Sequence, residues 1–379
     1  MPRRIFITAA EVSGDKYAGG LAGALRRLDA EIVVEGLGGP AMTAAGVKIH
    51  FETTARAAMT FHAVARAREV WRWLQWIKQE YAQRKPDLHV CVDSSGFNLH
   101  FAKVARHFGV PVLYYVAPQL WASREGRIKK VRAYVDRVAS IFPFEAEWYR
   151  QRGVDATFVG HPLFDAIPPN RLELSASPPR YPDRPPVIGI VPGSRSSEVK
   201  ANLPHLASVM QGLRSAFPAA RFMIPTIEDQ HANVCECVSR RDRALYEAST
   251  IWPDFDWMIP QCDLVITKSG TSTVHVAAYG VPMIVVYRIN RFAWHLAGRW
   301  LVKTKKIAMV NILAGQTELV PEFIPWYGGV TAVTNCALDL LRHPQKLAEQ
   351  RRKLIELIEP ISHPGASVNV ARMAMEMMR

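Results

Sequence analysis

The stretch Val191-Pro192-Gly193-Ser194-Arg195-Ser196-Ser197-Glu198 follows the apolar run Val187 to Val191 and leads into a helical pattern. These residue types describe a strand, a tight turn and a helix N-terminus, with an arginine where an anion would sit. Backbone N–H groups in such a turn lack partners and the helix dipole is positive there, so a phosphate can be held without a metal. Arg195 adds a permanent planar charge. A turn of this composition also serves plain packing. A second one further along, Thr267-Lys268-Ser269-Gly270-Thr271-Ser272-Thr273, strengthens the phosphate reading.

The elements that must position these turns are short apolar strands alternating with helical patterns along the whole chain. This alternation predicts α/β architecture with parallel sheets covered by helices on both faces. In the first half strands are expected at Arg4 to Thr8, Ile32 to Leu37, Leu88 to Val92, Val112 to Val116, Arg137 to Ile141 and Ala156 to Val159. A second series is expected at Val187 to Val191, Arg221 to Ile224, Leu264 to Thr267 and Met283 to Val286. Between the two series, prolines 168, 169, 178, 179, 182, 185 and 186 interrupt any apolar periodicity and mark a linker. The expected division is a Rossmann-like domain over 1–167, the linker over 168–186, a second Rossmann-like domain over 187–345, and C-terminal helices over 346–379 that cross back to the first domain. Two doubly wound domains of this kind place their strand ends on a common cleft, where ligands bind.

Length and composition agree with two globular domains. The chain has 379 residues, 49% hydrophobic and 21% charged, without low-complexity tracts, which excludes a disordered or fibrous protein. The apolar run Ile5-Phe6-Ile7 is too short for a signal peptide, and no stretch approaches the length of a membrane span. Five cysteines without paired metal-ligand spacing read as reduced cytoplasmic thiols.

The net charge of +13 suits an anionic substrate, an anionic membrane face or a nucleic acid. Basic residues interleave with tryptophans in two segments: Arg66, Arg68, Trp71, Arg72, Trp73, Trp76 and Lys78, then Arg291, Trp294, Arg299, Trp300, Lys303, Lys305 and Lys306. Rings at headgroup depth with cations beside them are the pattern of a peripheral membrane helix. The alternative is a helix packed on its own domain, with Val70, Trp73, Leu74 and Ile77 inward and a solvated basic face. Nucleic acid is disfavoured because no binding motif accompanies the charge.

The motifs together resemble the lipid-A-disaccharide synthases, inverting glycosyltransferases of the two-domain Rossmann-like type called GT-B. The resemblance covers nearly the whole chain. It rests on Glu11-Val12-Ser13-Gly14-Asp15, Gly36-Leu37-Gly38-Gly39-Pro40, Val116-Ala117-Pro118-Gln119-Leu120-Trp121-Ala122, Phe142-Pro143-Phe144-Glu145 and Val159-Gly160-His161-Pro162. In the second half it rests on the Pro-Gly-Ser-Arg turn, Ser269-Gly270-Thr271, Pro282-Met283 and Asn311-Ile312-Leu313-Ala314-Gly315.

The resemblance implies transfer of 2,3-diacylglucosamine from its UDP-activated form to 2,3-diacylglucosamine 1-phosphate, releasing UDP and forming a β-1,6 linked disaccharide. It implies no cofactor and no metal, and a peripheral position on the inner face of the cytoplasmic membrane, on its anionic surface; oligomeric state stays open. Arg195 would neutralise the departing pyrophosphate, with Gly193, Ser194, Ser269, Gly270 and Thr271 donating hydrogen bonds to it. His275 and Asn311 would complete the nucleotide side, and Ser13, Asp15, Asn98 and His161 the acceptor side. Asp15 has a second reading, as a cap of the helix that follows it, and His161 another, as a packing residue.

The chain departs from the family at two informative positions. Where the family shows D-x-P-D-F-N, this chain reads Asp93-Ser94-Ser95-Gly96-Phe97-Asn98, so Gly96 replaces the aspartate usually taken as the base. Asp93 is the expected substitute base and Glu11 the next, although Asp93 would also suit capping of the turn. His275 stands where the family has a ribose-gripping glutamate, which leaves one ring nitrogen for one hydroxyl. Val310 and Pro325 are smaller departures. Asp254-Phe255-Asp256, the only D-x-D pattern, reads as a turn rather than a metal site. The rival readings are a relative using another nucleotide sugar and lipid acceptor, or a catalytically silent binder.

Overall fold

The computed structural model describes residues 2–54, 63–168, 181–226, 228–288 and 304–378. The chain divides into two compact units, Met1–Ala166 with Ile361–Arg379, and Ile167–Pro360. Most of the proline-rich segment, and Arg291, Trp294, Arg299, Trp300 and Lys303 of the second basic segment, lie outside the described residues.

The first unit is a seven-stranded parallel sheet, β1 (Arg4–Ala9), β2 (Val33–Gly38), β3 (Lys48–Glu52), β4 (Leu88–Val92), β5 (Val112–Tyr115), β6 (Arg137–Ser140) and β7 (Ala156–Phe158), in the order β3-β2-β1-β4-β5-β6-β7. β1 and β4 are buried throughout, as expected of central parallel strands covered on both faces. The chain winds outward one way from β1 and the other way from β4, so the switch point lies between them. Helices α1 (Val12–Leu28), α2 (Pro40–Ala44), α3 (Ala63–Gln83) and α4 (Ser95–His107) follow β1, β2, β3 and β4. The last helix, Ala366–Met377, belongs to this unit and packs on α1. Its start is fixed by Asp165, whose carboxylate accepts from the N–H of Gly365 at 2.5 Å and of Ser367 at 2.7 Å.

The second unit is a six-stranded parallel sheet, β8 (Val187–Val191), β9 (Arg221–Pro225), β10 (Ser249–Trp252), β11 (Leu264–Lys268), β12 (Met283–Arg288) and β13 (Glu322–Trp326), in the order β10-β9-β8-β11-β12-β13. Its switch point lies between β8 and β11.

Strands β3, β10 and β13 were not expected from the sequence. All three are sheet edges with half-exposed residues, so they lack the continuous apolar run that betrays a central strand. Helix α3 takes the packed reading for part of its face. Val70, Trp73, Leu74, Trp76 and Ile77 sit against the core, whereas Trp71 is 61% exposed, flanked by exposed Arg68 and Arg72.

Candidate active site

At the first switch point, β1 and β4 run side by side with Ala9 opposite Val92, which brings the segment starting at Glu11 next to Asp93. Ser13 Oγ donates to Asp93 Oδ2 at 3.3 Å, and the N–H of Ser94 donates to Asp93 Oδ1 at 2.6 Å. Asp93 and Ser94 are left-handed, with φ of 56° and 39°. Such a conformation costs roughly 1–2 kcal/mol per non-glycine residue. Here it is held by hydrogen bonds to the turn's own carbonyls: Asn98 Nδ2 donates to Val92 O at 2.8 Å and to Asp93 O at 2.7 Å, and the Tyr114 hydroxyl donates to Asp93 O at 2.8 Å.

Asn98 is itself oriented by a buried chain. Thr8 Oγ1 donates to Asn98 Oδ1 at 2.7 Å, so it must accept from His89 Nε2 at 3.1 Å, leaving His89 Nδ1 to accept from the Tyr81 hydroxyl at 2.6 Å. Burial lowers the His89 pKa to about 3, which keeps the ring neutral, and its two hydrogen-bond partners set the tautomer. Tyr17, one helical turn beyond Ser13, also belongs to the Asp93 neighbourhood. Burial and the Asp93 charge push its phenol up to about 12. No sequence motif pointed to Tyr17, Tyr81 or His89; the spacing from Ser13 to Tyr17 on one helix face was the available signal for the first.

Three residues expected on the acceptor side are instead part of the frame. Asp15 is 3% exposed and caps neither its own helix nor open space. Its carboxylate accepts from the N–H groups of Gly39 (2.7 Å), Ala41 (2.8 Å) and Met42 (3.2 Å), the start of α2. Gly39 permits this approach, since a Cβ there would lie 2.9 Å from Asp15 Oδ2 and 2.1 Å from Thr54 Oγ1. Asn98 is fully buried. His161 is 1% exposed, its Nδ1 accepts from the Leu163 N–H at 3.2 Å, and its ring lies against Phe142 and Phe164. Gly96 is exposed at the first turn of α4.

At the second switch point, Val191 pairs with Thr267 across β8 and β11, so the two expected phosphate turns leave adjacent strands. Gly193 has φ 125°, and a Cβ there would lie 2.8 Å from Glu198 Cβ, so glycine is required on both counts. Glu198 ties the turns together. Its Oε1 lies 3.0 Å from Lys268 Nζ and 3.2 Å from Arg195 Nη1. Burial alone would raise the Glu198 carboxyl, but Lys268 and Arg195 outweigh it and hold its pKa below the ordinary glutamate value. Two cations against one carboxylate leave the cluster positive. No described side chain caps the helices that begin at Ser196 and Thr271, and Ser194, Gly270 and Thr271 are exposed while Ser269 is buried. Such N-termini favour an anion. Lys268 and Glu198 lay within the quoted motifs without an assigned role.

His275 and Asn311, expected beside the nucleotide, differ in kind. His275 Nε2 lies 2.5 Å from Asp256 Oδ1, and its ring stacks on Phe255 with centroids 4.4 Å apart. Asp254 caps the short helix Phe255–Met258, accepting from the Trp257 N–H at 2.8 Å, so both aspartates of the D-x-D pattern have protein partners. Asn311 is fully buried; its Oδ1 accepts from Leu319 and Val320 N–H and its Nδ2 donates to Val320 O and Glu322. It organises the loop before β13 with every polar atom engaged. Among the described residues no group of three or more His, Cys, Asp and Glu side chains is placed to hold a metal.

Two doubly wound parallel-sheet units, each with polar and charged groups at its switch point, define an α/β protein of the GT-B class. Solved structures share this fold. A UDP-N-acetylglucosamine 2-epimerase from Listeria monocytogenes matches with TM-score 0.66 at 13% identity, over 99% of this chain and 96% of that one. Acinetobacter baumannii MurG matches with TM-score 0.57 at 16% identity, over 99% and 100%. The family is settled by sequence: the model of lipid-A-disaccharide synthetase matches residues 5–372, and the chain belongs to that family. The lipid-A-disaccharide synthase of Geobacter sulfurreducens is 34% identical over 384 residues, covering 99% of this chain and 97% of that protein.

Proposed function

We propose that this protein transfers 2,3-diacylglucosamine from its UDP-activated form to 2,3-diacylglucosamine 1-phosphate, with inversion and without a metal, releasing UDP. The observation that carries this reading is the Arg195–Glu198–Lys268 cluster at the β8/β11 switch point, in a chain of the lipid-A-disaccharide synthase family. Charge accumulates on the pyrophosphate as the sugar departs. Arg195, Lys268, the backbone of Gly193 and Ser194, and the start of the helix at Thr271, with Ser269 and Gly270, meet that charge without reorganisation. On the first unit, Asp93 and Glu11 receive the acceptor, with Asp93 held by Ser13 and by its own turn. His275 keeps one ring nitrogen for the nucleotide after its bond to Asp256.

No helix among the described residues is long and apolar enough to cross a membrane. Exposed Trp71 between Arg68 and Arg72 supports docking on an anionic cytoplasmic membrane face, where the acylated substrates reside. The test is UDP release from the diacylated donor with and without acceptor, for the unaltered protein and Arg195→Ala. Acceptor-dependent release, reduced roughly 100-fold or more in Arg195→Ala, is expected. Release that ignores the acceptor, or the arginine, would sink the proposal.

A further inference from the structure

His100 lies on α4 four residues after Gly96, so the two share one helix face, and both are exposed. A helical side chain leans over the turn N-terminal to its own Cα, which for His100 is the turn that begins at Gly96. A Cβ built at Gly96 meets no heavy atom within 4 Å, so the space that a side chain there would occupy is open. Gly96 offers no side chain to that space, and the chain carries an imidazole one turn further on. Asp93 Oδ1 accepts from the Ser94 N–H and its Oδ2 from Ser13 Oγ, so the carboxylate is oriented by its own turn.

We infer that His100 is the general base of the transfer, taking the proton of the acceptor hydroxyl in the open space beside Gly96. This rests on the glycosyl transfer proposed above. The acceptor's 6-hydroxyl oxygen bonds to the donor's anomeric carbon and its proton passes to the unprotonated ring nitrogen of His100. The bond from that carbon to the pyrophosphate oxygen breaks, and its electron pair leaves with UDP. His100, being exposed, then returns the proton to water.

The surroundings suit this role. Lys103 stands one turn further along the same face, Arg127 is fixed by donating from Nη1 to Ser95 Oγ at 3.0 Å, and Lys130 lies on the helix Ile128–Tyr134 packed against α4. Partial desolvation, then the charges of Lys130, Arg127 and Lys103, lower the His100 pKa, so the ring is in its basic form at neutral pH. Cations here also suit an acceptor that carries a phosphate.

The test is steady-state kinetics with the diacylated donor and acceptor across pH, for the unaltered protein, His100→Gln, His100→Gln with Gly96→Asp, and Lys130→Glu. Loss of a general base should lower kcat by roughly 10²–10⁴-fold with KM nearly unchanged. Gly96→Asp, which the open space accommodates, should restore at least about tenfold of that loss. Lys130→Glu should move the acidic limb of the kcat profile to higher pH, since it replaces repulsion of the imidazolium by attraction. The inference is overturned if His100→Gln keeps its kcat, or if kcat falls but neither the aspartate rescues it nor Lys130→Glu moves the limb. An unaltered protein with no acceptor-dependent UDP release would overturn the transfer itself, and the role of His100 with it.

Discussion

Lys268 Nζ lies 3.0 Å from Glu198 Oε1, joining two turns that are 70 residues apart in sequence. The same carboxylate holds Arg195, so one glutamate fixes both cations of the cluster. Lys268→Ala should therefore weaken UDP binding by about 10- to 100-fold, as expected for loss of a charge-assisted contact worth ~1.5–3 kcal/mol. Titration calorimetry with UDP measures it, and a double-mutant cycle with Glu198→Gln should return a coupling of at least about 0.5 kcal/mol. Strictly additive losses would show that Glu198 does not organise the lysine.

Asp15 accepts three backbone N–H groups at the start of α2 while 3% exposed. Asp15→Asn presents an amide N–H₂ to some of those donors and should destabilise the protein by about 2–3 kcal/mol, read from urea unfolding midpoints. Unchanged stability with a raised acceptor KM would restore Asp15 to the acceptor site.

The Asn98 amide supports the left-handed turn at Asp93. Asn98→Ala should lower kcat by roughly 10- to 100-fold through misplacement of the turn, because sub-ångström positioning controls the reaction. Normal turnover in a folded variant would mean that Tyr114 alone is sufficient to hold the Asp93 carbonyl.

Arg4 and Glu35 form a buried ion pair between β1 and β2, with Glu80 and His50 completing it. Burial alone would raise the Glu35 carboxyl; the hydrogen bonds from Arg4 and His50 reverse this and hold its pKa below the ordinary value of 4.5. With a depressed folded-state pKa, its contribution is present above the unfolded value and is lost as pH falls through the folded one. Chemical denaturation between neutral pH and about pH 3 should show this acid loss. Arg4→Met should destabilise at neutral pH by about 3–5 kcal/mol and flatten the acid dependence, because it strands the carboxylate.

Exposed Trp71 with Arg68 and Arg72 should contribute to membrane docking. Replacing both arginines by glutamine should weaken binding to anionic vesicles by about 1 kcal/mol per charge, and raised salt should erase the difference. Sedimentation with neutral and anionic vesicles distinguishes this from an unspecific loss.

The central strands and the turns that follow β8 and β11 were legible in the residues themselves, because apolar runs followed by Gly, Ser, Lys and Arg are local signals. The edge strands β3, β10 and β13 were not, since half-exposed strands carry mixed side chains. The roles of Asp15, Asn98, His161 and Asn311 were also hidden. Their residue types fit a ligand and a buried frame equally well, and only their partners separate the two.

The sequence by itself determined that two α/β units exist, that each has turns fit for chemistry, and that one family pattern runs through both. Tertiary structure decided which turns meet. Strand order places β1 against β4 and β8 against β11, and neither neighbour relation is encoded in local spacing. The pairing of Glu198 with Lys268, and of Ser13 with Asp93, follows from those adjacencies, since a parallel sheet brings distant segments to one edge only after the whole order is set. The shared helix face of Gly96 and His100 is the exception, because helix periodicity alone sets it; tertiary structure added the open space at Gly96 and the cations around His100.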